Sequence, residues 1–409
     1  STHCISSAAS DVYKRQFLHR PDWFEYGKLR LSWGKNGNRA VGTYAAFMQL
    51  SPRKYIYVDP STGELITANT FYASTMANPN LKWESTTSWN AGMDLTFLQG
   101  RLSTSVDVYK KITTDLLVSR ELPSLIGYSS VMSNIGEVQN TGVELSLNST
   151  NIRTDKFTWR TSLNLAYNKN KITHLYGIME DVKDADGNVI GQREADDIKN
   201  KRFIGHDIDE IWDYKVVGIW QEEDREEAAK YGQQPGDVHL LDKDMNYKYD
   251  NTDKEFQGTR MPRLRWSMRN DFTLFKNLNI SFNMYSYIGH KQSLARFTND
   301  NALLNVTNQI KCDYWTPENR NNEYPRLANK KPAGVSYSIY KNASFLRFDN
   351  ISVGYTFPKK LIEPLRIQNL NVNATMKNAG YISGWPGYDP ENSDKNTPRV
   401  IYFGINLTL

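Results

Sequence analysis

One segment of the sequence has the residue types and the spacing of a cation-binding loop. It reads DKDMNYKYDNTD, and side chains that carry oxygen recur at positions 1, 3, 5, 9 and 12 of it. These residues are Asp242, Asp244, Asn246, Asp250 and Asp253. Carboxylate and amide oxygens that alternate along a tightly wound loop are the ligands that Ca²⁺ prefers. The segment is therefore a candidate Ca²⁺ site with an EF-hand-like spacing.

Two positions depart from the EF-hand pattern. Position 6 is Tyr247 rather than the glycine that makes the sharp turn, and position 12 is the short Asp253 rather than a glutamate. A solvated acidic loop is the alternative interpretation. The sequence leaves both interpretations open, and no other cofactor is expected.

Large aromatic residues in long polar segments are the second candidate for chemistry. They are Trp212, Trp220, Trp315, Trp385 and Tyr388. Flat rings can stack on the faces of sugars or hold a peptide, and they can equally pack one loop against another. These five residues are candidate substrate contacts, with loop packing as the alternative.

The sequence carries no sign of an enzyme or of a nucleic-acid-binding protein. It has no GxSxG, HExxH, Walker or GxGxxG motif, and its six histidines are scattered. The two cysteines, Cys4 and Cys312, form no CxxC pair. The 50 Lys and Arg residues exceed the 45 Asp and Glu residues by only five and form no long basic block. We therefore predict neither catalysis nor nucleic acid as a partner.

The elements that would position these residues are strands with two different faces. In FTWRTSLNLAYNKN, residues 157–170, apolar and polar side chains alternate with a period of two. The same alternation recurs along the chain, in segments of roughly 9 to 14 residues, about the length that crosses a bilayer at a tilt. Mean hydropathy is −0.62 and no run approaches the ~18 apolar residues of a membrane helix. The pattern predicts membrane-spanning strands.

Short and long connections alternate between these segments. The predicted strands are 28–36, 83–97, 102–118, 133–149, 157–170, 263–275, 278–290, 345–357, 368–377 and 400–409. Every short turn then falls on one side and every long loop on the other, as in outer-membrane barrels. The segment Ile211–Trp220 also has strand character, but a span there would break this order, so we assign it to an extracellular loop.

Charged residues on the polar side of the predicted strands are expected to line the lumen. They are Asp107, Glu144, Arg160, Arg265 and Arg269. We expect these residues to form ladders of opposite charges along the lumen wall or against the plug rather than a binding site. A soluble β-sandwich would bury the apolar faces in a core instead, but strand length, loop asymmetry and the 12% aromatic content favour the membrane.

Several segments, in order, resemble the SusC/RagA family of TonB-dependent outer-membrane transporters. They include LKWESTTSWNAGMDLTFLQGRLSTSVDVYKKITTDLL, NIGEVQNTGVELSLNS, KLRLSWGKNGN, YWTPENRNNEYPRL, SFLRFDNISVGYTFPK and GYDPE. The resemblance runs from about Phe17 to the end of the chain. Residues 1–16 do not match and are expected to be an artefactual leader, foreign to the natural gene product.

The resemblance implies an all-β transmembrane antiparallel barrel of about 22 strands with a plug. Residues 17–409 would supply about the last ten strands and the long extracellular loops, with the plug absent. It further implies an outer-membrane importer of oligosaccharides or peptides that works with a SusD-like surface lipoprotein and the TonB complex. The alternatives are a stand-alone passive porin and a soluble β-rich binding or adhesion protein.

Overall fold

A computed structural model gives the architecture of the chain. It describes residues 9–11, 21–38, 46–121, 125, 128, 130–184, 186–294, 313–327, 329–392 and 395–409. Both cysteines lie outside these residues. Among the described residues, no helix is long and apolar enough to cross a membrane.

The chain is built almost entirely of strands. In order they are β1 (Ala9–Asp11), β2 (Phe24–Asn38), β3 (Gln49–Val58), β4 (Leu65–Met76), β5 (Glu84–Phe97), β6 (Leu102–Thr114), β7 (Leu117–Glu121), β8 (Ser130–Asn134), β9 (Glu137–Arg153), β10 (Phe157–His174), β11 (Met179–Lys183), β12 (Val189–Glu194), β13 (Glu210–Tyr214), β14 (Val216–Ile219), β15 (Val238–Leu240), β16 (Lys254–Thr259), β17 (Leu264–Leu274), β18 (Leu278–Ile288), β19 (Lys291–Ser293), β20 (Tyr340–Asn342), β21 (Phe345–Thr356), β22 (Asn369–Ser383) and β23 (Val400–Thr408). The helices α1 (Arg225–Lys230) and α2 (Lys359–Ile362) are short.

One antiparallel sheet of eleven strands dominates the fold. Its order is β1-β2-β5-β6-β9-β10-β17-β18-β21-β22-β23, so neighbours in the sheet follow one another along the chain. Each of the ten predicted spanning strands has a counterpart in it, and the prediction of an all-β fold is confirmed. Two predictions were too long, because residues 117–118 and 133–134 belong to β7 and β8 of a smaller sheet. The eleventh strand, β1, lies within residues 1–16, which did not match the family in sequence, and it pairs with residues 28–30. Within the described residues, the edge strands β1 and β23 do not pair with each other, and the sheet is open.

The register gives the sheet two chemically different sides. Directly opposed residues share a side, because side chains alternate along each strand. One row across five strands is Leu31, Ala91, Val108, Val143 and Tyr167. We call this side the apolar face. The next row belongs to the opposite side, which we call the polar face, and it runs Arg30, Gly92, Asp107, Glu144, Ala166, Arg265 and Tyr287.

A glycine makes room for an ion-pair network on the polar face. Arg30 on β2 reaches Asp94 on β5 at 2.9 Å and Asp107 on β6 at 2.8 Å. Gly92 lies between Arg30 and Asp107 in the row. A Cβ at Gly92 would lie 2.8 Å from the Arg30 guanidinium carbon and would overlap the Asp107 carboxylate. Arg269 likewise pairs with Asp271 at 2.8 Å. A cross-strand charge ladder of the expected kind is therefore present at Asp107, whereas Arg269 forms a single ion pair within its own strand.

The connections differ in length at the two ends of the sheet. Tight turns join β5 to β6 and β17 to β18, where Leu98, Gln99, Phe275 and Lys276 take positive φ angles between 51° and 67°. At the other end lie the long segments, which carry the smaller sheets β3-β4-β8-β7, β11-β12, β13-β16, β14-β15 and β19-β20. The segment Ile211–Trp220 forms β13 and β14 there, outside the large sheet, as predicted.

The main cluster of buried hydrophobic residues lies in these long segments and not in the large sheet. Its members, which we call the loop core, are Tyr214, Ile219, Val238, Leu240, Leu294, Trp315, Tyr337, Ile339, Ala343 and Trp385. Gly236, with a φ of +90°, lets two segments approach, since a Cβ there would lie 2.5 Å from a ring carbon of Trp315. The long loops thus fold on a core of their own.

Candidate functional site

Two adjoining cavities open on the polar face between β9, β10, β17 and β18. The lower one has a volume of about 480 Å³, and the upper one, nearer the loops, about 360 Å³. They share Glu144, Ala166 and Arg265, which are directly opposed on neighbouring strands. We call the two cavities together the wall recess. The period of two places this row on the polar face, and the antiparallel register brings its three members together.

Glu144 and Arg265 give the wall recess one charge of each sign. Both side chains are exposed, and neither forms an ion pair with another residue that the structure describes. They lie two strands apart, a separation of about 10 Å. The Arg265 guanidinium carbon lies 5.2 Å from the ring centroid of Tyr287, which orients it by a cation–π contact. The expected charge ladder is therefore absent at these two described residues.

An amide network forms the upper side of the recess. The Tyr109 hydroxyl donates to Asn168 Oδ1 at 3.2 Å, and the amides of Asn168 and Asn170 donate to Asn140 Oδ1 at 3.3 and 3.0 Å. The Tyr109 ring lies over Gly142, where a side chain would overlap it. This pairing of an aromatic ring with a glycine on the next strand fixes the ring against the wall.

The loop that closes the upper cavity carries carboxylates. The backbone N–H of Ile208 donates to Asn170 Oδ1 at 3.0 Å and holds this loop on the wall. Burial raises the pKa of Asp207, and the charge of Asp209 acts in the same direction, whereas Arg263 opposes it. A cationic group of a ligand would stabilise the ionised Asp207. The upper cavity thus offers a further acceptor that sequence reasoning missed.

Four of the five predicted substrate contacts are buried. Trp212, Trp220, Trp315 and Trp385 are at most 8% exposed. The indole N–H groups of Trp220 and Trp315 donate to Gln233 at 3.1 Å and to Gln221 at 3.0 Å. These contacts match the loop-packing alternative. The half-buried Tyr388 accepts a hydrogen bond from Tyr381 through its carbonyl, and contact of any of the five with substrate stays a prediction.

The acidic loop brings three of its five predicted ligands together. One carboxylate oxygen from each of Asp242, Asp244 and Asp253 lies within 4.8 Å of the others. Asp250 instead accepts from Thr252 N–H at 2.7 Å, and Asn246 accepts from Lys248 N–H at 2.7 Å. Desolvation and the neighbouring Asp242 raise the pKa of Asp244. The three carboxylates fit a hard cation with oxygen ligands.

The GYDPE segment is anchored to the wall beside the recess. Asp389 on this segment pairs with Arg347 on β21, and both side chains are at most 2% exposed. Arg347 also lies 2.8 Å from Glu391, which accepts the Tyr285 hydroxyl at 2.6 Å. Tyr285 lines the lower cavity. Through these contacts the loop between β22 and β23 is held at the margin of the wall recess.

Comparison with known proteins identifies the fold and the family. A family model described as "TonB dependent receptor-like, beta-barrel" matches residues 12–379. The TonB-dependent receptor SusC of Bacteroides thetaiotaomicron is 30% identical over 93% of this chain and 37% of its own length. TonB-dependent receptor P3 of Formosa agariphila is 28% identical over 95% of the chain and 38% of its own length. The chain thus spans about two fifths of the curated relatives that it matches.

A solved structure shows the same fold. The structure of the RagAB peptide transporter superposes with a TM-score of 0.72 and 22% identity, over 98% of this chain and 42% of the other. The resemblance to SusC and RagA that the sequence carries is confirmed, and with it the outer-membrane location. This chain therefore belongs to the TonB-dependent receptor-like β-barrel family of outer-membrane proteins and resembles the SusC members of that family.

Proposed function

We propose that this chain forms the wall and outer loops of an importer for oligosaccharides or peptides, with the wall recess on the path of the substrate. The observation that carries the proposal is the pair of exposed charges, Glu144 and Arg265, which share two cavities beneath the loops. Family membership and the similarity to SusC support transport rather than catalysis.

The residues of the recess have distinct roles in this proposal. Arg265 donates to carbonyl, carboxylate or hydroxyl oxygens of the substrate, and Glu144 accepts from the N–H or O–H groups of the substrate. The tyrosines and asparagines extend hydrogen bonding along the wall. Because hydrogen bonds and rings serve sugars and peptides alike, both substrate classes remain in the proposal.

The wider machinery is also part of the proposal. It comprises a barrel of about 22 strands with a plug, a TonB complex that pulls on the plug at the expense of the proton-motive force, and a SusD-like lipoprotein over the long loops. The similarity to SusC and to the fold of RagAB supports this arrangement. The loops would offer the lipoprotein a surface that the loop core keeps in shape.

We further propose that Asp242, Asp244 and Asp253 bind Ca²⁺. Asp253 is fully buried, so an ion beside it would rigidify the turn against the loop core. Asp250 and Asn246 would hold the turn in shape by their own hydrogen bonds rather than ligate the ion.

The test of transport replaces both charges of the recess in the full-length protein in its membrane. In Glu144→Gln/Arg265→Gln the net charge is unchanged, but two charged hydrogen-bonding groups are lost. Each is worth about 1.5–3 kcal/mol, which corresponds to at least a tenfold fall in uptake. Uptake of a labelled neutral oligosaccharide and of a labelled peptide would be measured in parallel, so that the affected substrate identifies the class.

The matched control is Glu180→Gln/Arg193→Gln. It removes an exposed ion pair of the same two residue types from the hairpin β11-β12, away from the recess. Uptake of both substrates should stay at the wild-type level in the control. Equal uptake by the recess variant and the control, at equal amounts of protein in the outer membrane, would refute the proposal.

A further inference from the structure

The apolar face carries a groove that the import proposal does not use. It crosses β2, β5, β6, β9 and β10 and has a volume of about 730 Å³. The row of Ala91, Val108 and Val143 forms its floor, and the small Ala91 side chain leaves depth beside Trp33 and Trp89. Both tryptophans are exposed, at 50% and 43%. Since the groove opens on the opposite side of the sheet from the wall recess, a substrate in the lumen does not reach it.

Lysines cluster directly above this floor, toward the long loops. In the next row, Lys110 and Lys169 flank Thr141 on neighbouring strands, and both lysines line the groove. One row further, Lys35 and Lys171 point to the same side, as the register requires. Each of the four lysine side chains is exposed.

Acidic residues do not balance these lysines. On the long-loop side of the groove floor, the register of these five strands places one carboxylate, Glu137, on the apolar face. Glu137 accepts a hydrogen bond from the Thr173 hydroxyl at 2.7 Å. Neither Lys110 nor Lys169 forms an ion pair with a residue in the described part of the chain. The patch therefore has a local excess of positive charge next to an apolar groove.

The depth of the patch fits the outer interface of the bilayer. Along β5, Trp89 and Phe97 point to the apolar face eight residues apart, and Phe97 stacks on Trp23 at the end with the short turns. Eight residues of a strand tilted by about 40° rise about 20 Å, close to the ~25 Å apolar band between two aromatic girdles. The lysine rows thus begin where the hydrocarbon of the leaflet beneath the long loops ends.

We propose that this groove binds a phosphorylated lipid of the outer leaflet. An acyl chain would lie on the floor of Ala91, Val108 and Val143, and the phosphate groups would lie among Lys110, Lys169, Lys35 and Lys171. The alternative is that these lysines only extend into the water above the membrane. That alternative does not explain the groove beneath them. A basic cluster at head-group depth with an apolar slot below it matches both parts of one lipid molecule.

The test is lipid retention by the full-length protein in detergent, followed by native mass spectrometry. The probes are lipid A with two phosphates and the same lipid with both phosphates removed. We expect one phosphorylated lipid to remain bound and the dephosphorylated lipid to bind at least tenfold more weakly. Lys110→Gln/Lys169→Gln should lower the affinity for the phosphorylated lipid at least tenfold.

Two further variants separate this site from general attraction to charge. Lys276→Gln/Lys359→Gln removes two exposed lysines at the end with the short turns, and retention should be unchanged. Ala91→Phe fills the floor while it leaves every lysine in place, and retention should fall. Folding is checked by the altered gel mobility of unheated protein. Equal retention by the two lysine pairs, equal binding of both lipids, or a co-purifying polypeptide on this face would overturn the proposal.

Discussion

At the scale of single residues, unusual backbone conformations replace the glycine that the acidic loop lacks. Met245 and Tyr247 have φ angles of 56° and 63°, in the left-handed region where glycine is usual. Asp242 stabilises this turn, because its two oxygens accept from the N–H groups of Met245 and Tyr247, both at 2.9 Å. The turn that brings the carboxylates together thus forms although position 6 is not a glycine.

Ca²⁺ should stabilise the folded protein if this turn binds it. An ion at one hundred times its dissociation constant adds about 2.7 kcal/mol to the free energy of unfolding. We expect the melting temperature to rise with Ca²⁺ and to fall with a chelator. Asp244→Asn should abolish the shift, since Asp244 belongs to the carboxylate cluster. Asp250→Asn should keep it, because Asp250 accepts from Thr252 instead. A melting temperature independent of Ca²⁺ would refute the site.

At the scale of elements, the long loops behave as a folded layer on the large sheet. His239 shows how they are held together, because it stacks on the buried Trp220 with ring centroids 3.6 Å apart. Burial lowers the pKa of His239, although the charges of Asp224 and Glu227 act in the opposite direction. Burial and the nearby Arg265 lower the pKa of His290 as well.

Acid should therefore loosen the loop core. The unfolded chain protonates His239 near its ordinary pKa of 6.5, whereas the folded chain holds it neutral to lower pH. His239 thus contributes stability above its unfolded pKa of 6.5, and this contribution is lost over the pH range below that value. Hydrogen exchange of residues 214–240 should speed up over this range.

Two histidine variants test the cause of the acid effect. His239→Gln should reduce the pH slope of exchange, with His290 accounting for the remainder. His174→Gln should leave the slope unchanged, because His174 is exposed and lies outside the loop core. An identical slope in both variants would contradict this account.

At the scale of the whole molecule, the two faces of the sheet decide how it sits in the membrane. Met93, Val106, Leu145 and Leu165 form the row midway between Trp89 and Phe97 on the apolar face. The adjacent Ser146 points to the polar face and donates to Asn164 at 2.9 Å. Neighbours in sequence thus face lipid and lumen in turn.

Adjacent lysine substitutions should have opposite consequences for insertion. Leu145→Lys places a charge at mid-depth against lipid, which costs about 2–4 kcal/mol, and the amount of protein assembled in the outer membrane should fall. Ser146→Lys adds the same charge to the polar face and should assemble as the wild type does. The measurement is the fraction of each variant that shows the altered mobility of a folded barrel. Equal assembly of both variants would contradict the assignment of the faces.

The sequence by itself determined the strands and their two faces. Alternation with a period of two is a local property of each segment, and segment length together with the order of short and long connections places all ten segments in one antiparallel sheet. Glu144 and Asp107 could not be distinguished by sequence alone. Each is an acidic residue on the polar side of a strand, and a charge ladder was expected for both.

Only the tertiary structure decided what each of these residues does. Asp107 meets Arg30 because Gly92 opens the space between them, whereas the neighbours of Glu144 in its row are Asp107 and Ala166, neither of which carries a positive charge. The same holds for the aromatic residues of the loops. Trp315 is buried in the loop core and donates to Gln221, 94 residues away in sequence, and no local pattern encodes such partners. Alternation fixes which way a side chain points, and long-range pairing fixes what it meets.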